Sequence, residues 1–173
     1  MAFTGSGLVE IPAGLFANNT KCETFEQTFS KTKIESIPAD VFKGCSSVNS
    51  FMSCFNGCSE LESIPADLFK NSGAQGVVYG KRGAGMNMIF QGCSSLKEIP
   101  AGILDGFTRI TALNSIFNGC SSLESIPSDL FKDAAAVTSF SSAFSGCTAL
   151  KSIPAGVFKG LAKVTSFTGV FQG

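Results

Sequence analysis

Four cysteines, Cys58, Cys93, Cys120 and Cys147, each follow a glycine and precede a serine or threonine. Thiols can hold soft metals, exchange disulfides or act as nucleophiles, but each role needs converging partners. A metal or redox site calls for a spacing such as C-x-x-C or for histidine nearby. These four lie a whole repeat apart, and the chain has no histidine at all. Without it, histidine-based triads and the commonest metal ligand are excluded. The column therefore reads as a ladder of small, buried, reduced thiols at a tight turn. Cys22, Cys45 and Cys54 lie off that column, and an odd total of seven leaves at least one thiol unpaired within a monomer.

Charged groups give no stronger chemistry. Thirteen basic and thirteen acidic residues balance, leaving no electrostatic footprint for nucleic acid or an anionic membrane. Acidic residues recur at repeat-equivalent positions, which suits solvation rather than a paired acid and base. One column, Glu35, Glu62, Lys97, Glu124 and Lys151, alternates in sign from Glu62 onward. Such a row sets register and stays solvated, and it offers no net field to a highly charged ligand. No enzyme activity and no cofactor are expected.

One stretch stands outside the regular pattern. Around residues 71–87 the sequence NSGAQGVVYGKRGAGMN is glycine-rich and holds the only tyrosine, Tyr79, with Lys81 and Arg82 close by. It lacks G-K-[ST] and a strand–loop–helix setting, so it is not a phosphate-cradling loop. Insertions in repeat proteins map to surface loops, which can be tolerated excursions without function or partner contacts, and aromatic and cationic groups there commonly anchor interfaces. Tyr79, Lys81 and Arg82 are the candidate binding residues. A lone sequon, Asn18-Asn19-Thr20, carries little information.

These groups must be positioned by a repeat. All six prolines follow isoleucine, at Pro12, Pro38, Pro65, Pro100, Pro127 and Pro154, with separations of 26, 27, 35, 27 and 27 residues. The 35-residue gap is the insertion. The phenylalanines mark the same period in three columns. The first is Phe16, Phe42, Phe69, Phe131 and Phe158, with Leu104 substituting. The second is Phe25, Phe51, Phe140 and Phe167, with Met86 and Leu113. The third is Phe3, Phe29, Phe55, Phe90, Phe117, Phe144 and Phe171, and only Phe107 falls outside. A unit of about 27 residues cannot bury its apolar face alone, but stacked units can, so the core is a rod. The Leu-x-x-Ile segment is expected to pair in parallel with its neighbours and to stop near the proline. The V-x-S-F side, too short for a helix, is expected to be extended or a single 3₁₀ turn.

The run Phe-x-Gly-Cys-Ser-Ser-Leu-x-Ser-Ile-Pro, at 117–127 and, with variations, at 55–65, 90–100 and 144–154, resembles the BspA-like leucine-rich repeats of bacterial cell-surface proteins. The unit here is longer than is usual in that family, with extra residues after the Leu-Phe pair. The resemblance implies an extracellular or cell-surface module that binds a protein or matrix partner in adhesion.

The fold expected is a β-rich leucine-rich-repeat solenoid over residues 1–173, six coils of about 27 residues with a parallel sheet on one face. The longest apolar runs are far short of a bilayer span, and the first ten residues have neither a basic n-region nor an apolar h-region. Both ends fall at the same phase of the unit, with no polar capping repeat. The alternative role is a structural unit of a fibre or filament, built by head-to-tail self-association.

Overall fold

A computed structural model describes residues 2–70, 72 and 85–173. The chain winds into a stack of coils in which every repeat column becomes a line of contacts along the stack axis. The third phenylalanine column is one unbroken pile: successive ring centroids from Phe3 to Phe171 lie between 5.4 and 5.7 Å apart, with planes within 13° of parallel. Offset stacking of this kind satisfies the ring quadrupole while excluding water. Phe29, Phe55, Phe90, Phe117 and Phe144 are all buried.

The first column breaks at Leu104, and the protein compensates within the same coil. Phe107, three residues on, is buried and meets Phe69 edge-to-face at 5.8 Å. The one ring outside the sequence columns thus fills the volume that leucine leaves.

The sheet expected on the Leu-x-x-Ile side is not there. Among the described residues no helix forms, and pairing reduces to three isolated parallel bridges, Thr24 with Ser50, Glu98 with Ser125 and Ala112 with Ser139. The reason lies in the donors. The Leu61, Leu96, Leu123 and Leu150 amides each close a turn onto the cysteine of their own coil, at 3.0 to 3.2 Å. Proline, four residues after each leucine, has no N–H to give. What remains is sparse bonding between coils, such as Glu62 N–H to Glu35 O and Glu124 N–H to Lys97 O, both 3.0 Å.

The coils are instead joined on the opposite side, along Phe-x-x-x-Phe-x-Gly. Leu113, Ser115, Phe117 and Gly119 donate to the carbonyls of Ser139, Ser141, Ala143 and Ser145 at 3.0, 2.9, 2.9 and 2.7 Å. Intervening amides close four-residue turns, such as Asn118 N–H to Ser115 O at 3.3 Å. Two left-handed residues per run make this possible, Ser115 (φ 54°) and Gly119 (φ 75°) here, with Ser53 and Gly57 or Ser142 and Gly146 elsewhere. They turn the N–H groups of the inter-coil backbone bonds toward the following coil and the accepting carbonyls toward the preceding one, while the Asn114 and Ser141 amides donate to the side-chain Oδ1 of Asn87 and Asn114 in the preceding coil. The run is neither extended nor 3₁₀.

Two glycine sites are needed for different reasons. At Gly119 the backbone is left-handed, which strains any residue with a Cβ although that Cβ would meet Gly92 Cα only in ordinary contact, at 3.6 Å. At Gly160 no positive φ is involved, but a Cβ would lie 1.7 Å from the Phe131 carbonyl oxygen, so any larger residue forces two coils apart.

The 35-residue unit keeps register across its insertion. Phe51, Ser53, Phe55 and Gly57 donate to Gly85, Asn87, Ile89 and Gln91 at 2.7, 3.0, 3.0 and 2.6 Å. Met86 is fully buried in its column.

Candidate binding surface

Tyr79, Lys81 and Arg82 lie outside the described residues. Their immediate supports are defined. At the start of the inserted stretch, Ser72 is buried and its hydroxyl donates to Phe69 O at 2.8 Å. After it, the Gly85 and Asn87 carbonyls accept from Phe51 and Ser53 in the preceding coil.

Beside Lys70, the residue before the inserted sequence, lies an open groove of about 440 Å³ lined by Ala66, Asp67, Lys70, Gly102, Asp105 and Gly106, among others, and an equivalent groove recurs at Asp129, Lys132, Gly156 and Lys159. Asp67 and Lys70 pair at 3.4 Å within one turn. Asp105 reaches instead to Lys132 of the next coil at 2.8 Å, and Lys132 also approaches Asp129 at 3.6 Å. The bond to Asp105 raises the Lys132 pKa, holding the ammonium charged. The groove therefore presents two carboxylates and one ammonium, all more than a third exposed and able to exchange partners with little desolvation cost. The sequence carries a signal for this face in Asp-x-x-Lys, at 40–43, 67–70 and 129–132, a pattern separate from the charge column along Leu-x-x-Ile.

The alternating row pairs along the axis as its signs predict. Lys97 meets Glu62 at 3.5 Å and Lys151 meets Glu124 at 2.5 Å, with every one of these side chains more than half exposed. The hydrogen bond from Lys151 lowers the Glu124 carboxyl below its ordinary value. These pairs satisfy one another from coil to coil.

The thiol column is a structural ladder. The sulfurs of Cys58, Cys93, Cys120 and Cys147 donate to the carbonyls of Phe29, Phe55, Phe90 and Phe117 in the preceding coil, at 3.0 to 3.2 Å. All four are buried and free. Thr32 continues the column with a hydroxyl, 3.4 Å from Cys58 Sγ. Burial raises every one of these thiol pKa values, that of Cys147 to about 11. They are poor nucleophiles and poor metal ligands at neutral pH. Among the described residues no group of three or more cysteine or acidic side chains could hold a metal ion.

The three cysteines off this ladder are apolar members of other columns. Cys54 is buried and repeat-equivalent to Ile89, Ile116 and Ala143; Cys45 to Phe107, Ala134 and Leu161; Cys22 to Val48, Ile110 and Val137.

No family model matches the chain, and no curated protein matches it in sequence. Among solved structures, the leucine-rich repeat domain of APL1 aligns over 83% of this chain with a TM-score of 0.51 at 13% identity. The chain spans 32% of the length of that structure. A leucine-rich cell-surface protein from Faecalibacterium prausnitzii aligns over 78% of this chain and 34% of its own, at 24% identity and a TM-score of 0.33. The Toll–Spatzle complex of Drosophila aligns over 93% of this chain and 28% of the matched chain, at 16% identity and a TM-score of 0.41. The first likeness shows the fold to be a leucine-rich-repeat solenoid; the other two are too loose to add to it. No helix among the described residues is long and apolar enough to cross a membrane.

Proposed function

We propose that the chain is a non-enzymatic protein-binding module displayed at a cell surface, with the insertion as its contact arm and the groove at its base as the seat for a partner's charged group. The observation that carries this is the placement of the groove. Asp67, Lys70 and Asp105 line it, and Lys70 immediately precedes the inserted sequence that begins at residue 71. A rigid solenoid bearing one loop beside mixed charges holds recognition groups at low ordering cost. Adhesion to a host or matrix protein is the finer role, supported by the resemblance of the repeat to BspA-like sequences.

Binding to surfaces coated with fibronectin, collagen or fibrinogen tests this. Deleting residues 74–83 should weaken binding at least tenfold while leaving the melting transition in place. Tyr79→Ala or Arg82→Ala alone should cost more than about 1 kcal/mol if these residues anchor the interface. Affinity unchanged by the deletion would reduce the loop to decoration.

A further inference from the structure

We propose that Asn56-Gly57 and Asn118-Gly119 are sites of covalent self-modification, closed while the coils are stacked and converted to isoaspartate once they part. An opening that lasts then becomes irreversible.

These are the two Asn-Gly steps of the chain. Glycine has no Cβ to crowd its own nitrogen, so that nitrogen is free to approach the preceding asparagine side chain. The reaction needs only base and water. The glycine N–H gives its proton to hydroxide, and the nitrogen attacks Cγ to form a cyclic imide. The Cγ–Nδ2 bond breaks as ammonia leaves, taking a proton from water. A further water opens the imide at either carbonyl, giving aspartate or isoaspartate.

Nitrogen and Cγ meet only if the peptide plane between the two residues turns, and the stack clamps that plane from both sides. The Asn118 carbonyl accepts from Gly92 N–H of the preceding coil at 2.7 Å, and Gly119 N–H donates to Ser145 O of the following coil at 2.7 Å. At the other site the Asn56 carbonyl accepts from Lys31 N–H at 2.7 Å and from the Ser30 hydroxyl at 2.9 Å. Gly57 N–H donates to Gln91 O at 2.6 Å. These bonds lie at the short end of the usual range. Turning either plane breaks bonds to two coils at once.

The local turn and the side chains add to the hold. Each pair sits at the centre of a turn closed by Cys58 N–H to Phe55 O or Cys120 N–H to Phe117 O, both 3.2 Å, with the glycine at φ 74° or 75°. A left-handed glycine at that place is the type II arrangement. Asn56 Nδ2 donates to Gln91 Oε1 at 2.8 Å, and Gln91 Nε2 donates to Asn118 Oδ1 at 3.3 Å. The leaving nitrogen of one site and the acyl oxygen of the other are tied to the same glutamine.

That glutamine supplies an internal comparison. Gln91-Gly92 occupies the same column, with Gly92 at φ 74° and its N–H bonded to the following coil. Its longer side chain would have to close a larger ring, which forms far more slowly, so it survives opening.

Conversion is damaging because of where it falls. Isoaspartate routes the backbone through the side-chain methylene, which displaces Gly119 relative to Phe117 in the run whose amides join the coils. Either product also replaces an amide by a carboxylate, and at residue 56 this removes the donor that meets Gln91 Oε1.

Peptide mapping by mass spectrometry, with fragmentation that resolves isoaspartate, tests this on the intact chain with its thiols kept reduced. The chain is held in mildly alkaline buffer, either folded or in denaturing urea. In urea both Asn-Gly sites should convert while Gln91-Gly92 stays intact. In the folded chain both should convert at least about tenfold more slowly, since reaction waits on opening. When urea is removed, the fraction regaining native circular dichroism should fall in step with isoaspartate content. N56Q/N118Q, which copies the Gln-Gly already in the column, should refold fully after the same treatment. Conversion as fast in the folded chain as in urea would overturn the protection. Wild-type refolding indifferent to conversion, or N56Q/N118Q losing its refolding as fast as the wild type, would overturn the irreversibility.

Discussion

Replacing Phe117 by alanine should destabilise the protein by about 3–5 kcal/mol, among the larger costs for a single core truncation. The side chain is fully buried, and its ring lies 5.7 Å from both Phe90 and Phe144 in nearly parallel stacks. Removing it opens a cavity that neither neighbour can fill, because each is itself pinned by the next ring along. Its backbone N–H and the carbonyls around it belong to the densest inter-coil bonding in the fold, so the coil cannot collapse inward to compensate. Phe171→Ala, in the same column but with a stacked ring on one side only and its surface already partly open, should cost much less. Denaturant titration of both variants compares them directly. Equal losses would mean that the core is not a one-dimensional stack, since in such a stack each unit answers only to its neighbours.

The second large effect is chemical. Native Cys58, Cys93, Cys120 and Cys147 should react with a bulky thiol reagent orders of magnitude more slowly than after unfolding. Attack needs the thiolate, and burial raises each pKa above the ordinary 9.0, to about 11 for Cys147. The same burial sets a pH dependence. Above pH 9 the unfolded chain sheds thiol protons that the folded chain keeps, so stability falls as pH rises. Cys147 makes its part of that loss between pH 9 and about 11, and below pH 9 the thiols contribute no slope. Cys120→Ser should shrink the alkaline loss without dismantling the coil, because Thr32 already places a hydroxyl in this column, donating to Phe29 O at 2.8 Å. Rapid labelling of the native protein, or a stability profile flat through pH 11, would contradict a buried ladder.

Much of the rod is legible in the sequence, because column identity is a property of spacing alone. Phe117 and Cys120 sit where the Ile-Pro period puts them. Hydrophobic periodicity does not say which side of the coil carries the hydrogen bonds. That depends on left-handed residues such as Ser53, Met88, Ser115 and Ser142, whose types give no hint of a positive φ. Leu-x-x-Ile has the pattern of a strand because its side chains alternate, yet its amides are spent on turns or lost to proline. Phe107 and the cysteines at 22, 45 and 54 look irregular in sequence only because their columns tolerate apolar residues of many sizes. For the proposed binding face, the sequence marks the insertion and carries Asp-x-x-Lys at 67–70, but it does not show that Asp105 of the next coil joins them in one groove, since residues from separate coils meet there only once the coils stack.

Native-state hydrogen exchange tests the central claim most directly, namely that the solenoid is held together along the Phe-x-x-x-Phe-x-Gly runs. The slowest amides should be Ser115, Phe117 and Gly119 and their equivalents Ser53, Phe55 and Gly57, each donating to the following coil at 2.6 to 3.0 Å. Protection should decline toward both ends of the stack, and amides of the Leu-x-x-Ile segment such as Ser63 and Ile64 should exchange much faster. Strongest protection along Leu-x-x-Ile, with the Phe runs exchanging freely, would mean that a conventional parallel sheet joins the coils and would contradict that claim.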